Sequence, residues 1–216
     1  MHVRRVFGAI AFALVLCCGF SSCLLAEKFT CSISIKADGS YTLAFKGTAV
    51  DYRVLGAIKE GTFTEQDQES LIQEYKKSDY FSVVRNAGNG RMYIEYTQSA
   101  SDGAPLAIFE GFTLIKVYLE SGAIAVTISG AEEGLKGELV SLGYKIDGTL
   151  TITSEIPAEK TGNSKVNKKG VVYSIKKTFK ELPTNEEILT FSNDATRKMK
   201  GPDTMPSVRV SNDWIE

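Results

Sequence analysis

Histidine and cysteine are the residue types of this chain that bear most directly on chemistry. The only histidine is His2, and the four cysteines are Cys17, Cys18, Cys23 and Cys31. Since His2 lies in a segment that we expect to be removed, the mature chain is predicted to lack histidine, the commonest general base and metal ligand. Nucleophile pairs with histidine and zinc sites of the Cys/His type are then excluded. We predict no metal, no cofactor and no enzymatic activity, with carboxylate or Cys31 chemistry as the alternative.

The N-terminal segment has the three zones of a secretory signal. Two arginines come first, an apolar run extends from Val6 to Leu16, and the small residues Ser21 and Ser22 precede Cys23. A charged start, an apolar centre and small residues before the cut are what export and cleavage require. The sequence therefore predicts a signal peptide over residues 1–22.

The residues before Cys23 resemble the bacterial lipoprotein box, in which the cysteine after the cut receives lipid on its sulfur. The usual box has leucine three positions before the cysteine, and this chain has Phe20, which keeps the apolar character. The resemblance implies a lipidated (palmitate-bearing) Cys23 and a tether over residues 23–28. It also implies an extracytoplasmic place in the bacterial cell envelope, at the outer membrane in a bacterium with two membranes.

Two other fates of the N-terminal segment stay open. Cleavage after Ala26 would release a soluble protein. An uncleaved stretch from Val6 to Ala26 would be barely long enough to span a membrane, which takes about 20 apolar residues.

The charge of the mature chain is mild. Loss of the two signal arginines lowers the basic count from 25 to 23, against 26 acidic residues, which gives a net charge of about −3. This balance does not favour nucleic acid as a partner. We expect the partners to be the membrane, through the lipid, together with a lipid, a glycan or an envelope protein.

A lysine-rich segment from residue 160 to residue 180 is the candidate binding patch. It contains no acidic residue, and its lysines are Lys160, Lys165, Lys168, Lys169, Lys176, Lys177 and Lys180. Such a patch suits anionic lipid headgroups or acidic glycans. The alternative is a solvated edge strand, on which lysines oppose edge-to-edge aggregation.

Cys31 alternates with Phe29, Ile33 and Ile35, which places it on the apolar face of a strand. A buried thiol at such a position packs as a small apolar residue. We therefore interpret Cys31 as part of the core.

Strand patterns dominate the middle of the chain. Apolar alternation on both sides of the turn at residues 37–40 predicts a hairpin over residues 29–45. Further strands are expected between residues 80 and 129, over residues 144–156 and over residues 171–177. Residues 160–169 are expected to form a polar loop.

Two helices are predicted. Thr64, with Asp67 three residues later, is typical of a helix start, and the apolar spacing extends the helix to about residue 77. Leucine spacing predicts the second helix over residues 132–142. Pro183, Thr184 and Glu187 could start a last helical turn. The residues from 192 to 216 are expected to form a mostly disordered tail.

These elements define an α+β fold. Short turns between neighbouring strands indicate antiparallel pairing. We predict one mainly antiparallel sheet with two or three helices packed on one face, in a single extracytoplasmic domain over residues 29–191.

Two stretches resemble the extracytoplasmic domain of LppM-type lipoproteins: ISIKADGS from Ile33 to Ser40, and GTLTITSEIPAEKTGNSKVNKKGVVYSIK from Gly148 to Lys176. Tyr173 stands where a tryptophan is often expected. The resemblance implies an antiparallel α+β domain with lipid or glycolipid binding, and no functional residue is carried over.

The functional hypothesis is a non-enzymatic envelope lipoprotein that acts as a binding or scaffolding module. The alternative is a carrier that holds an amphiphile between sheet and helices, and an enclosed apolar cavity would favour it.

Overall fold

The computed structural model describes residues 24–109, 114–162 and 164–199, which form two mainly antiparallel sheets and three helices. The chain is therefore α+β, as predicted, but its strands are divided between two sheets where we expected one. The pairing of residues 28–35 with residues 147–154 is parallel, and the other strand pairs of the described residues are antiparallel.

Sheet A has seven strands in the spatial order β10-β11-β8-β1-β2-β4-β3. In chain order they are β1 (Leu24–Ile35), β2 (Tyr41–Asp51), β3 (Val83–Gly88), β4 (Arg91–Ala100), β8 (Asp147–Ser154), β10 (Val166–Lys169) and β11 (Val172–Phe179). Sheet B has five strands in the order β5-β6-β7-β12-β9. They are β5 (Leu106–Ala107), β6 (Ile115–Glu120), β7 (Ala123–Ile128), β9 (Ala158–Lys160) and β12 (Glu187–Phe191).

The helices are α1 (Leu55–Glu60), α2 (Glu65–Lys76) and α3 (Glu133–Ser141). The predicted capping box of α2 is present, because Thr64 accepts from the backbone of Asp67 while the Asp67 carboxylate accepts from the backbone of Thr64. The predicted helix over residues 132–142 is also confirmed, as α3. Short 3-10 turns lie at Tyr52–Val54 and Thr196–Lys198.

The strand β1 begins earlier than the sequence predicts. Residues 24–28, expected to be part of a tether, are instead its first residues, and Leu24, Leu25 and Ala26 are buried. Their apolar side chains and their pairing with β2 explain the difference, since Leu24 lies opposite Asp51. The predicted hairpin of β1 and β2 is confirmed, with Ile35 opposite Tyr41.

Four other segments differ from the prediction or lie outside the described residues. Part of the polar loop expected over residues 160–169 forms the edge strand β10, which pairs with β11. The expected helical turn at residues 183–187 is wrong, because Glu187 opens β12 and pairs with β7. In the expected disordered tail, Thr196 is fully buried in a 3-10 turn. Residues 200–216 lie outside the described residues.

The inward faces of both sheets share one hydrophobic core. At its centre Phe45 stacks on Tyr96 at 5.4 Å between ring centroids and meets Phe109 edge-on at 4.9 Å. Phe29 lies over Gly148 of β8, where an added β-carbon would come 2.2 Å from the ring. Aromatic rings therefore fill this part of the interior.

Candidate functional site

The predicted lipidation site, Cys23, and the predicted signal peptide lie outside the described residues. The first described residue, Leu24, is fully buried at the start of β1. Nearby, the Tyr144 hydroxyl donates to the backbone carbonyl of Ala26 at 2.5 Å, and Arg91 pairs with the buried Glu27 at 3.0 Å. The N-terminal end of β1 is therefore fixed by contacts with neighbouring elements.

A buried carboxylate lies opposite Leu24. Asp51 is fully buried and accepts from the Arg53 guanidinium at 2.5–3.0 Å and from the Tyr75 hydroxyl at 2.7 Å. The hydrogen bond from Arg53 to Asp51 is the main cause that raises the pKa of Arg53, and burial is the main cause that raises the pKa of Tyr75. Arg53 also reaches Glu74 at 3.1 Å.

This cluster joins the end of β2 to α2, and its chemistry is structural. The Asp51 carboxylate has no free side on which a substrate could bind, since Arg53 and Tyr75 already occupy both oxygens. Burial of a charge is stabilising only when its partners are in place. The sequence signal for it was weak: Asp51 follows an apolar strand and precedes Arg53 by two residues, but nothing local points to Tyr75.

The lysines of the lysine-rich segment do not form one surface. Lys160 ends β9 in sheet B, whereas Lys168, Lys169, Lys176 and Lys177 lie on β10 and β11 in sheet A. Because successive residues of a strand point to opposite faces, Lys169 and Lys176 face outward from sheet A, and Lys168 and Lys177 face the other side. Lys165 precedes β10 and Lys180 follows β11.

Several of these lysines already have partners. Lys177 pairs with Glu187 of sheet B. Lys180 lies 2.7 Å from Asp147, and Lys168 lies 5.0 Å from the centre of the Tyr173 ring. The headgroup role of the segment stays a prediction. On the outward face of sheet A, Lys169 and Lys176 are members of the segment that make no ion pair within the described residues.

The clefts among the described residues include two that bear on ligand binding. The first, of about 350 Å³, lies beside the Lys177–Glu187 pair, where Ser164 also donates to Glu187 at 3.1 Å. The second, of about 620 Å³, lies beside the N-terminus of α2 and is lined by polar residues such as Thr64 and Gln68. Both are open to solvent and partly polar, so neither is the enclosed apolar cavity that would favour an amphiphile carrier.

The structure places Cys31 in the core, as predicted. Its side chain is 2% exposed, and burial raises the pKa of the thiol. A thiolate, which is the nucleophilic form, is disfavoured at such a site. Cys31 therefore lacks the exposure and the ionisation that thiol catalysis requires.

Within residues 24–109, 114–162 and 164–199, no group of three or more His, Cys, Asp or Glu side chains is arranged to hold a metal ion. None of the helices in these ranges combines the length and hydropathy needed to cross a bilayer.

Comparison of the sequence with models of known protein families gives no match, and a search of curated proteins gives none either.

Proposed function

We propose that this protein is an envelope lipoprotein whose β-rich domain acts as a non-enzymatic binding or scaffolding module. The N-terminal zones of charge, apolar residues and small residues before Cys23 support export and lipidation. The absence of histidine after residue 2 and the buried Cys31 support a role that does not involve catalysis.

The observation that carries the proposal is the burial of Leu24, Leu25 and Ala26 in β1. Cleavage after Ala26 would remove Leu24, Leu25 and Ala26, which are buried and paired with β2. Cleavage before Cys23 keeps all three. A lipid on Cys23 would then stand one residue from sheet A and hold the domain close to the membrane surface.

We further infer that the helices cluster at the end of sheet A where β1 begins. Tyr52 donates to Glu138 of α3 at 2.7 Å, and Tyr144, just after α3, bonds to Ala26. Gln68 of α2 bonds to the β3–β4 turn at Gly90. On this proposal the helices lie on the side of the domain nearest the anchor.

Metabolic labelling with radioactive palmitate in a bacterial host tests the proposal. We expect label in the wild-type chain and in the control Cys18→Ala, and none in Cys23→Ala, which should also accumulate unprocessed. Equal labelling of Cys23→Ala and the wild type would refute lipidation at this cysteine. The carrier alternative predicts instead that the purified protein retains an extractable lipid that is not covalently bound.

A further inference from the structure

Serine and threonine occupy the outward face of sheet A across its central strands. On β1 the outward residues Thr30, Ser32 and Ser34 are exposed, while the residues between them are buried. The same alternation continues on the neighbouring strands. We call this surface the hydroxyl face, and its members are Thr30, Ser32, Ser34, Thr42, Thr97, Ser99, Thr149, Thr151, Thr153, Ser174 and Thr178.

The strand register aligns these hydroxyls in rows that cross the sheet. One row contains Ser174, Thr153, Ser34, Thr42 and Ser99, which are direct partners on five successive strands. Neighbouring strands are about 4.8 Å apart, and alternate residues of one strand are about 6.7 Å apart. The face is therefore a grid in which most positions carry a hydroxyl group, and the other positions of the three central rows are Ala44, Lys46, Glu95 and Lys176.

The hydroxyls of this grid keep hydrogen-bonding capacity toward solvent. Thr42 and Ser99 bond to each other at 2.9 Å, and Thr153 donates to the carbonyl of Ile33 at 3.4 Å. A hydroxyl has one donor and two acceptor positions. Each of these bonds leaves acceptor positions open, so an approaching ligand with many hydroxyl groups could be bound without loss of the existing contacts.

The face also has an excess of positive charge. Its carboxylates are both paired, Glu95 with Lys46 at 3.5 Å and Asp147 with Lys180 at 2.7 Å. The cations on this side that make no ion pair within the described residues include Lys28, Arg85, Lys169 and Lys176. Lys176 lies directly opposite Thr151, in the second row of the grid. Unpaired ammonium groups beside neutral hydroxyls favour a ligand that is both polyhydroxylated and acidic.

We propose that the hydroxyl face binds an acidic polysaccharide. A chain of sugar rings repeats its hydroxyl and ring oxygens at an interval close to the spacing of the strands, and its carboxylates complement the lysines. A protein partner fits this face less well, since serine and lysine are depleted at the centres of protein interfaces. The inference deepens the binding role of the proposed function and is independent of the lipid anchor.

The full-length chain, purified in detergent and immobilised, tests the proposal with three soluble polymers. Polygalacturonate supplies hydroxyls and carboxylates, dextran supplies hydroxyls alone, and polyglutamate supplies carboxylates alone. We expect polygalacturonate to bind at least tenfold more tightly than either of the others, with an affinity that falls as salt rises.

Variants of the hydroxyl face test the contributions of its hydroxyl groups and of its lysines separately. The double variant Ser32→Ala/Thr151→Val removes two hydroxyls from the second row and should weaken polygalacturonate binding about fivefold or more. Lys176→Gln should weaken it by a similar factor and reduce the salt dependence. The matched controls, Thr190→Val on β12 of sheet B and Lys59→Gln on α1, should bind as the wild type does. Valine is favoured in strands and alanine is only mildly disfavoured, and circular dichroism checks the fold of each variant.

Three results would overturn the proposal: no binding of polygalacturonate, equal binding of polyglutamate, or unchanged binding by both face variants. Binding to vesicles of anionic lipid that depends on the same side chains would assign the face to a membrane instead. A chain with lipid on Cys23 that fails to bind polygalacturonate would refute this inference alone and leave the proposed lipoprotein standing.

Discussion

Replacement of Leu24 by alanine tests whether this residue is part of the folded core. Leu24 is fully buried, and its backbone pairs with the end of β2. Leucine-to-alanine changes at such positions cost about 2–5 kcal/mol, because apolar contact is lost and a cavity remains. With a urea m-value of about 2–3 kcal/mol/M for a domain of this size, the midpoint of unfolding should fall by about 1–2 M.

The assay is equilibrium unfolding in urea, followed by far-ultraviolet circular dichroism. Val140→Ala on α3 is the matched control, because this valine is 62% exposed and its truncation should change the free energy of unfolding by less than about 0.5 kcal/mol. Intact mass must first confirm that the variants and the wild type have the same mature N-terminus. A Leu24→Ala midpoint within about 0.2 M of the wild type would refute the reasoning.

The stabilisation that buried leucines contribute also bears on the position of the cleavage site. A chain that begins at Glu27 lacks both Leu24 and Leu25, each of which is buried. Their combined contribution of about 3–6 kcal/mol, at about 1.5–3 kcal/mol for each buried side chain, is a large part of the 5–15 kcal/mol by which domains are stable. Cleavage after Ala26 would therefore release a much weaker fold.

Three further changes test the packing and the buried charge. Arg53→Ala should lower the free energy of unfolding by about 1–3 kcal/mol in urea titrations, since Asp51 loses its guanidinium partner while Arg53 itself is 45% exposed; a loss below about 0.5 kcal/mol would contradict the structural role of the pair. Gly148→Ala should cost about 1–3 kcal/mol, because its β-carbon meets a ring. Gly134→Ala, on an open face of α3, should instead stabilise by about 0.5–1 kcal/mol, and thermal unfolding that ranks the two glycine variants the other way would refute the packing. Burial raises the pKa of Cys31 and of the buried tyrosines, so the folded state holds their protons more tightly. Stability should therefore fall as pH rises above about 8.5 and then 10, the ordinary pKa values of a thiol and a phenol; urea midpoints that stay level from pH 8 to pH 11 would contradict this.

Local signals in the sequence predicted the local structure. The alternation around Asp38 and Gly39 gave the β1–β2 hairpin, and Thr64 with Asp67 gave the start of α2. These features depend on residues within a few positions of each other.

Features that depend on distant contacts were not predictable in this way. The parallel pairing of β1 with β8 joins Phe29 to Gly148, and no periodic pattern encodes such a partner. The strand β10 was predicted to be a loop, because a lysine-rich edge strand and a polar loop have similar compositions. Pro183 and Glu187 imitate a helix start, but burial of Leu189 and Phe191 in the core makes that segment a strand.

The candidate sites show the same difference between local signals and contacts of distant residues. Cys23 was singled out from its own neighbours in the sequence. The hydroxyl face was missed, since Ser34, Thr42 and Thr153 are far apart in the chain and become neighbours only through the strand register. A sequence signal was nevertheless present, because serine or threonine alternates with apolar residues in both β1 and β8.

The central claim is that a lipid on Cys23 attaches sheet A directly to the membrane. Mass spectrometry of the N-terminal peptide from protein purified out of bacterial membranes tests it most directly. We predict a peptide that begins at Cys23 and carries acyl groups. An unmodified peptide that begins at Glu27 would contradict the account.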